Sequence, residues 1–497
     1  MDSATPKKDS EVHFVGIKGT GMSALAELMH NKGIHVSGSD QGESFYTDAV
    51  LRGLGIPFYE VFDAGHIGAQ SMVIYSAAYS PDSNPELAEA ERRGIPTFKY
   101  SDALGKYSAG FDSSGITGVH GKTTTTALAG VLIRGAGLPA QVLAGSAVGA
   151  FGDRSTLILG DKYFVAETCE YRRHFLSFHP RRIILTSVEC DHQDYFPTYA
   201  DIREAFIEYG RLLPSDGELI FCADDPGASE VAGFIKREKP GVRFVPYGFS
   251  APFDYRIESF EVRGERSVMR ISSFPGELVL RVPGRHTALN AAAALALVSS
   301  LVRKEFGGAD NDGWNEERRE GVRKAFAEFS GSKRRAEILG EAAGILFMDD
   351  YGHHPTAIET TLAGIKEFYP RRRLVVSFMS HTYTRTAALL DEFAVSFASA
   401  DLLVFHKVYS SAREVYNDGV TGRTLFEKAR ERLGGESSPG RFHYVDEPED
   451  AAELLLELLK PGDLFITVGA GDNWRLGKKL FDHYSKSDHH CKIGGSQ

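Results

Sequence analysis

The sequence predicts an α/β protein of about three domains, and three observations carry that reading. Its 497 residues exceed what a single hydrophobic core supports. Short apolar runs alternate with helix-period segments from Val12 to Gly94 and again from Ile345 to Val468, the rhythm of a mostly parallel sheet. Between these stretches stands a glycine-rich turn, Gly115-Ile-Thr-Gly-Val-His-Gly-Lys-Thr-Thr-Thr-Thr126, which runs into the apolar helical segment Ala127 to Ile133. With 42% hydrophobic and 25% charged residues, the chain has the composition of a protein that buries sizeable cores.

The first segment opens as a βαβ unit. Val12-His-Phe-Val15 is a short strand, Gly16 to Gly21 a turn, Met22 to Lys32 an amphipathic helix stopped by Gly33, and Ile34 to Ser37 a second strand. A glycine turn between strand and helix suits a pyrophosphate at the helix N-terminus, and Asp40 just beyond the second strand is placed to meet a ribose hydroxyl. Lys18 stands where G-x-G-x-x-G has its second glycine, which argues against a dehydrogenase and leaves a plain tight turn open. Ser71-Met-Val-Ile-Tyr75 reads as a strand, followed by the small residues Ser76-Ala-Ala78, where a ligand can lie against backbone. Pro85 to Arg93 is helical, His66 reads more readily as a loop histidine than as a ligand, and the polar span Ser108 to Ser114 reads as a linker.

The second segment carries the glycine-rich turn. Its glycines let backbone N–H groups close around phosphate oxygens, Lys122 can reach the outer phosphates, and the Thr123 hydroxyl can ligate Mg2+. The pattern G-x-x-x-x-G-K-[ST] fails at one place, since Ile116 stands at its first glycine and Gly118 comes two residues later. Two acidic clusters then follow strands: Tyr163-Phe-Val-Ala166 leads to Glu167 and Glu170, and Arg182 to Val188 leads to Glu189-Cys-Asp-His-Gln-Asp194. In a P-loop fold the strands beside the loop end at the triphosphate, which makes Glu167 and His192 candidates for holding Mg2+, with solvated loop charge as the alternative. Asp224-Asp225-Pro226 reads as a turn. Val242 to Val282 is richer in strand patterning, and Pro283-Gly-Arg-His-Thr-Ala-Leu-Asn290 opens a long Ala-rich helix on which His286 and Asn290 either face a base or cap the helix.

The third segment, from about Gly331-Ser-Lys-Arg-Arg335, alternates again. It has strands Ile345–Met348, Leu374–Phe378, Leu402–Phe405 and Leu464–Val468, with helices starting at Pro355 and running through 389–398 and 420–433. Asp349-Asp-Tyr-Gly-His-His-Pro355 gathers two carboxylates, an aromatic ring and two histidines in one turn, a set suited to binding ribose or base on one side and a second substrate on the other. The tail from Ser485 to Gln497 reads as polar and disordered, and Met1 to Glu11 as a loose leader without a signal-peptide core. A formal net charge of −11 works against nonspecific nucleic-acid or anionic-membrane partners. The apolar run Ala288 to Val302 is too short to span a bilayer and reads as a buried helix. Cys169, Cys190, Cys222 and Cys491 show no pairing or metal spacing, which fits a reducing cytoplasm.

The set of motifs in this order resembles the Mur ligases, and the resemblance covers nearly the whole chain. It runs from Val12-His-Phe-Val-Gly-Ile-Lys-Gly-Thr-Gly-Met-Ser23 and Ser37-Gly-Ser-Asp40 through Gly118-Val-His-Gly-Lys-Thr-Thr124, Asp191-His192 and Pro283-Gly-Arg-His-Thr-Ala-Leu-Asn290. It continues with Lys333-Arg-Arg335, Asp349-Asp-Tyr-Gly-His-His-Pro355, Ser380-His-Thr-Tyr-Thr-Arg-Thr386 and Gly469-Ala-Gly-Asp472. In that family the phosphate loop begins without the first glycine, so Ile116 becomes an expected feature. The chain departs from the family pattern at Cys169, Tyr171, Arg172, Ser187, Thr287 and Thr382.

The resemblance implies a cytoplasmic, ATP- and Mg2+-dependent amide-forming ligase with a Rossmann-like N-terminal domain (1–112), a central P-loop ATP-binding domain (113–331) and a Rossmann-like C-terminal domain (332–484). The first domain would hold a UDP-sugar through Gly19, Thr20, Gly21, Asp40, His66 and Ser76. Gly118, His120, Gly121, Lys122, Thr123 and Thr124 would cradle the triphosphate, with Mg2+ on Thr123, Glu167 and His192. His286, Asn290, Asp350 and Tyr351 would lie at the adenosine. Arg335 and Arg385 would contact phosphate or carboxylate, and His353 the sugar-linked substrate, so that Lys122, Glu167, His192, His353 and Arg385 form the catalytic set. The implied substrates are UDP-N-acetylmuramate and L-alanine, joined through an acyl phosphate in peptidoglycan precursor synthesis. A whole peptide as acceptor, in muropeptide recycling, is the near alternative. A dehydrogenase or silent nucleotide-sugar module is the distant one.

Overall fold

The computed structural model describes residues 6–308, 311–410, 419–434 and 437–493. The chain divides into two compact units, one made of Met1–Glu189, Ala200–Arg256 and Asn290–Phe326, the other of Cys190–Tyr199, Ile257–Leu289 and Ala327–Gln497.

The first unit contains two sheets. In the first, strands β1 (Glu11–Val15), β2 (His35–Ser39), β3 (Phe58–Tyr59), β4 (Met72–Tyr75) and β5 (Thr97–Lys99) run parallel in the order β3-β2-β1-β4-β5. Val12, Phe14 and Val15 of β1 have no exposed surface, as a central strand covered on both faces requires. The second sheet of this unit uses β6 (Asp112–Thr117), β7 (Ala140–Val148), β8 (Arg154–Ile158), β9 (Tyr163–Glu167), β10 (Arg182–Leu185), β11 (Glu218–Cys222) and β12 (Arg243–Gly248), ordered β12-β11-β10-β6-β9-β7-β8. β6 is therefore interior, and Ser113 and Ser114 are fully buried within it. The span read as a linker from its serines thus runs from the end of the helix Tyr100–Ser108 through a short turn into this core strand, where small side chains, not solvation, explain Ser113 and Ser114.

Polar contacts join the two sheets of this unit. Glu27, on the helix Thr20–Asn31, accepts hydrogen bonds from Arg154 (2.8 Å) and Thr156 (2.6 Å) on β8, and Tyr107 donates to Gln141 (2.5 Å) on β7. The helix Tyr100–Ser108 approaches the turn ending at Ser177 so closely that a Cβ on Gly105 would lie 1.9 Å from the Ser177 carbonyl oxygen. A buried carboxylate, Glu86, gathers the C-terminal side of the first sheet: Ser39 donates to it, His66 Nδ1 lies 2.7 Å and His13 Nε2 3.5 Å away, and the Asp63 N–H reaches it at 3.3 Å. Burial alone would raise its pKa, but the hydrogen bonds from His13, Ser39 and His66 outweigh it and hold the group below its ordinary value.

The second unit begins with an antiparallel meander, β13 (Tyr255–Val262, from Ile257), β14 (Ser267–Ile271) and β15 (Phe274–Leu280). Its main sheet comprises β16 (Glu337–Ala342), β17 (Ile345–Asp350), β18 (Arg373–Phe378), β19 (Leu402–Phe405), β20 (Phe442–Tyr444) and β21 (Asp463–Val468) in the order β16-β17-β21-β18-β19-β20; only β16 is antiparallel. Cores lie on both faces: Met348, Val376 and Ile466 point into one with the helix Pro355–Phe368, and Phe347, Val375 and Phe465 into the other with Leu455 and Leu476. The helix expected over 389–398 is present but shorter, Leu390–Val395, and a further short helix, Tyr383–Ala388, precedes it. The Ala-rich run is a helix as expected, Arg285–Phe306, with Leu295, Leu297 and Leu301 fully buried. The tail read as disordered is helical through Ile493 in the helix Trp474–Ile493; 494–497 lie outside the described residues, as do the first five residues of the expected leader. Leu476 and Leu480 seat the start of that helix in the core, and the polar composition after it gave no sign that the helix continues.

Two stability outcomes follow. Gly105→Ala should lower unfolding free energy by about 3 kcal/mol, because the clash is with backbone; urea denaturation measures it. Glu86→Gln should cost roughly 3 kcal/mol at neutral pH. Since the folded-state pKa of Glu86 is lowered, the wild-type advantage is fully present above the ordinary value of 4.5 and shrinks as pH falls below it. Thermal melts of both proteins from pH 7 to 3.5 test the convergence.

Candidate functional site

In the first unit the glycine-rich turn sits at the carboxyl end of β6, between β9 and β10. Register places Glu167 beside Ile116 and Leu185 beside Thr117, so both flanking strands end where the turn begins. Gly118 and Gly121 have φ of 133° and 80°, backbone that side chains resist. Contacts add to the requirement, since a Cβ on Gly118 would lie 2.1 Å from Thr186 Oγ1, and one on Gly121 2.5 Å from Asn290 Oδ1. Lys122 opens the helix Lys122–Gly135, with Thr123 buried and Thr124 partly exposed behind it. The helix N-terminus thus faces the turn, an arrangement that binds anions.

Lys122 Nζ donates to the carbonyls of Gly118 (2.5 Å) and Val119 (3.3 Å) and pairs with Glu170 at 3.1 Å. The lysine is crowded by protein yet keeps 15% of its side-chain surface open, while the Glu170 side chain is 1% exposed. Burial alone would lower the lysine pKa, but Glu170, Cys169 and Glu167 raise it overall, so the group stays cationic. Glu167 is half-buried and accepts from the Gly145 N–H at 2.8 Å. A Cβ at Gly145 would come within 2.3 Å of that carboxylate.

The opposite wall is held by residues that spacing did not single out. Ser187 Oγ accepts the His120 N–H (2.9 Å), Thr186 donates to the His120 carbonyl (2.5 Å), and His120 Nε2 lies 2.6 Å from Glu189. Asn290, expected at a base, accepts from Thr125 at 3.2 Å and backs the turn. Asp225 is the helix cap its turn reading implied, accepting from Ala228 at 2.7 Å. Beyond Glu170, Arg172 and Arg173 are consecutive non-glycine residues at φ 52° and 59°; Arg173 pairs with Glu208, and Arg172 lies over Tyr171.

The first sheet contributes its own glycine turn. Gly19 caps the helix Thr20–Asn31, Thr20 Oγ1 accepts from Tyr46 (3.2 Å), and the Tyr100 ring covers Gly21, where a Cβ would be 2.7 Å away. Asp40, read as facing a ribose, accepts instead from the N–H groups of Lys18 (2.7 Å) and Gln41 (2.8 Å) and so organises the turn itself. Lys18 explains its own intrusion into the glycine pattern: its buried Nζ turns away, donating to the carbonyls of Gln41 and Glu43 at 3.0 Å each. His66 stacks on Tyr59 at 3.7 Å besides contacting Glu86, and Ser76 directly follows β4, its hydroxyl 3.4 Å from the Ala78 N–H.

In the second unit the Asp349–Pro355 loop leaves the carboxyl end of β17. Asp350 is buried and both oxygens are taken by backbone, from Ala336 and Gly352 at 2.7 Å each, so it shapes the loop that presents Tyr351. Arg334 and Arg335 lie over the Tyr351 ring, both 5.1 Å from its centroid. His353 Nδ1 is 3.1 Å from the Tyr351 carbonyl. Burial, then Arg385, push its pKa well below the usual histidine value against the pull of Asp191, leaving a neutral ring that donates through Nδ1 and accepts through Nε2. Arg385, from the helix Tyr383–Ala388, donates Nε (2.9 Å) and Nη2 (2.7 Å) to Asp191 Oδ1, which also accepts the His192 N–H at 2.7 Å. Burial would raise the Asp191 pKa, yet Arg385, His192 and His353 hold it far below the carboxylate range. His192 has φ 55° and belongs to this unit, not to the one holding Thr123 and Glu167. His286, also here, begins the helix Arg285–Phe306 against Gly284, where a Cβ would be 2.4 Å from its ring. Thr382 caps the helix Tyr383–Ala388 at φ 67°.

A triphosphate-type turn with a buried lysine, on a chain with a second glycine turn before it and an α/β unit after it, defines a nucleotide-using enzyme of several domains. Family models agree: the Mur ligase family catalytic domain matches residues 11–112, the Mur ligase middle domain 116–298 and the Mur ligase glutamate ligase domain 334–471. The chain belongs to the Mur ligase family. It is 50% identical over 477 residues to the UDP-N-acetylmuramate--L-alanine ligase of Treponema pallidum strain Nichols, covering 96% of this chain and 97% of that one. The Salinibacter ruber protein of the same name is 39% identical, covering 95% and 94%. Among solved structures, the UDP-N-acetylmuramate-alanine ligase MurC from Thermotoga maritima matches with TM-score 0.75 at 26% identity, over 96% of this chain and 99% of that one. A murein peptide ligase from Psychrobacter arcticus shares the fold, with TM-score 0.64 at 22% identity over 96% and 99%.

Removing the Ser187 hydroxyl would leave the His120 N–H without its acceptor. Ser187→Ala should raise the KM for ATP about tenfold with little change in melting temperature, measured by steady-state kinetics and thermal denaturation.

Proposed function

We propose that the chain is an ADP-forming ligase that joins L-alanine to the carboxylate of UDP-N-acetylmuramate, a step of peptidoglycan precursor synthesis. The observation that carries this reading is the Lys122–Glu170 pair inside the glycine turn, with Glu167 in register beside it, in a chain half identical to proteins of that name. A carboxylate is a poor acylating agent. Transfer of the γ-phosphoryl group of ATP to it gives an acyl phosphate and ADP; the alanine amine then attacks the carbonyl carbon, and phosphate leaves.

Both partners in the first step are anions, so its barrier is largely charge repulsion. Lys122 is the cation on the phosphate side, and Glu170 keeps it protonated and aimed. The N–H groups of the turn meet phosphate oxygens, and Gly118 and Gly121 keep that approach open. Thr123 and Glu167 supply hard oxygen donors suited to Mg2+, and His192, in the other unit, is a separate candidate for a second Mg2+. When bound, Mg2+ would neutralise charge on the transferring group. Gly19, Thr20, Gly21, His66 and Ser76 are the proposed UDP-sugar side, and Asp40 acts there by fixing the turn. Tyr351, with Arg335 on its ring, is the proposed adenosine side, Asp350 and His286 shaping its surroundings. Neutral His353 is an acceptor for the sugar-linked substrate, and Arg385 faces oxyanion. The three described free cysteines fit a reducing cytoplasm, and no described helix is long and apolar enough to cross a membrane.

Phosphate release with UDP-N-acetylmuramate, ATP and a panel of amino acids and a tripeptide tests the reading. L-alanine should give the highest kcat/KM; a tripeptide preferred over alanine would reassign the acceptor. Lys122→Ala should lower kcat on the order of 10³-fold, and near-wild-type turnover would remove the phosphate loop from the mechanism.

A further inference from the structure

We infer that Asp191 is a positioning residue for phosphoryl transfer, one carboxylate that sets Arg385 and His192 side by side so that a single oxyanion meets both. This rests on the proposed function. Asp191 is 4% exposed, and one of its oxygens serves as a hub: Oδ1 accepts Arg385 Nε, Arg385 Nη2 and the backbone N–H of His192, while Oδ2 lies 3.8 Å from His192 Nε2.

The Arg385 side chain is nearly as buried, at 6%, so its direction is set by contacts and not by solvent. Guanidinium has five N–H donors in a rigid plane. Asp191 takes the edge formed by Nε and one hydrogen of Nη2, and Nη1 is 3.4 Å from both the carbonyl and Nδ1 of His381. The remaining N–H groups lie in the guanidinium plane on the edge away from Asp191, and a planar donor pair of that kind suits an oxyanion.

The histidine is fixed by the same group. A β-substituted residue at φ 55° resists that backbone, and the short N–H contact to Asp191 Oδ1 holds it there. The left-handed turn brings the His192 ring back beside the carboxylate that fixed its backbone. Removing the charge at position 191 therefore loosens two side chains at once. Asparagine keeps an acceptor of the same shape for the His192 N–H but loses the charge that orients Arg385.

The test is a double-mutant cycle on the full-length protein with UDP-N-acetylmuramate, ATP, Mg2+ and L-alanine, reading kcat, both substrate KM values and the Mg2+ concentration for half-maximal rate. Asp191→Asn and Arg385→Gln should each lower kcat about 10²-fold, with the KM for UDP-N-acetylmuramate within about twofold. The double variant should be slower than Arg385→Gln by far less than the loss that Asp191→Asn causes alone, because the carboxylate acts mainly through the arginine and only in part through His192. Asp191→Asn should also raise the Mg2+ requirement severalfold, and Asp191→Glu, which keeps the charge, should recover part of kcat. Multiplicative losses in the double variant, or an Asp191→Asn enzyme with wild-type kcat and Mg2+ dependence, would overturn the inference. If Asp191→Asn does not fold, as circular dichroism would show, Asp191→Glu decides: combined with Arg385→Gln it must cost far less than it costs alone. Failure of the ligase reading is separate, since it would appear as a wild-type protein that releases no phosphate with alanine.

Discussion

The buried pairing of Lys122 with Glu170 is the constraint around which the first unit is arranged. An ammonium group taken out of water costs several kcal/mol unless a counter-charge accompanies it, and here the counter-charge comes from the segment that follows β9. That requirement fixes β9 next to β6, which in turn sets Glu167 level with Ile116. The left-handed glycines and the carbonyls that Nζ caps are then consequences of where the lysine must stand. Arg385 with Asp191 repeats the solution in the second unit: a cation suited to phosphate is kept by a carboxylate that cannot be protonated at working pH.

The alternating α/β pattern was readable because periodicity and glycine stops are local. β1, β4, β9, β18 and β19 lie within a residue of where apolar runs place them. Ser113 and Ser114 defeated the same logic, since a central strand flanked by close neighbours uses small polar residues that look like linker. The helix ending at Ile493 defeated it from the other side, its tail being polar in composition. The phosphate turn was legible from residue types alone, whereas the partners that hold it, Glu170, the pair Thr186 and Ser187, and Asn290, come from three separate places in the chain. Spacing carries no information about such meetings.

Several acidic residues that looked like ligands for a nucleotide turn out to bind backbone. Asp40 and Asp350 each accept one N–H group of their own loop, from Gln41 and Gly352, and one from a distant segment, from Lys18 and Ala336. Lys18 makes the same point for cations: a lysine in a glycine turn reads as a phosphate contact, yet its ammonium group ties down the segment after β2. These side chains act on substrates through the backbone shapes they enforce.

The turn after Glu170 places two arginines in succession in left-handed backbone, where each costs about 1 kcal/mol relative to glycine. A protein shaped only for stability would relinquish them. The segment therefore marks where this chain has room to become more robust by engineering: glycine there would relieve the backbone, at the expense of the Arg173 pairing with Glu208 and of a positive charge in the segment that follows Glu170. The strain and the charge are one choice, and a thermostabilised variant would separate them.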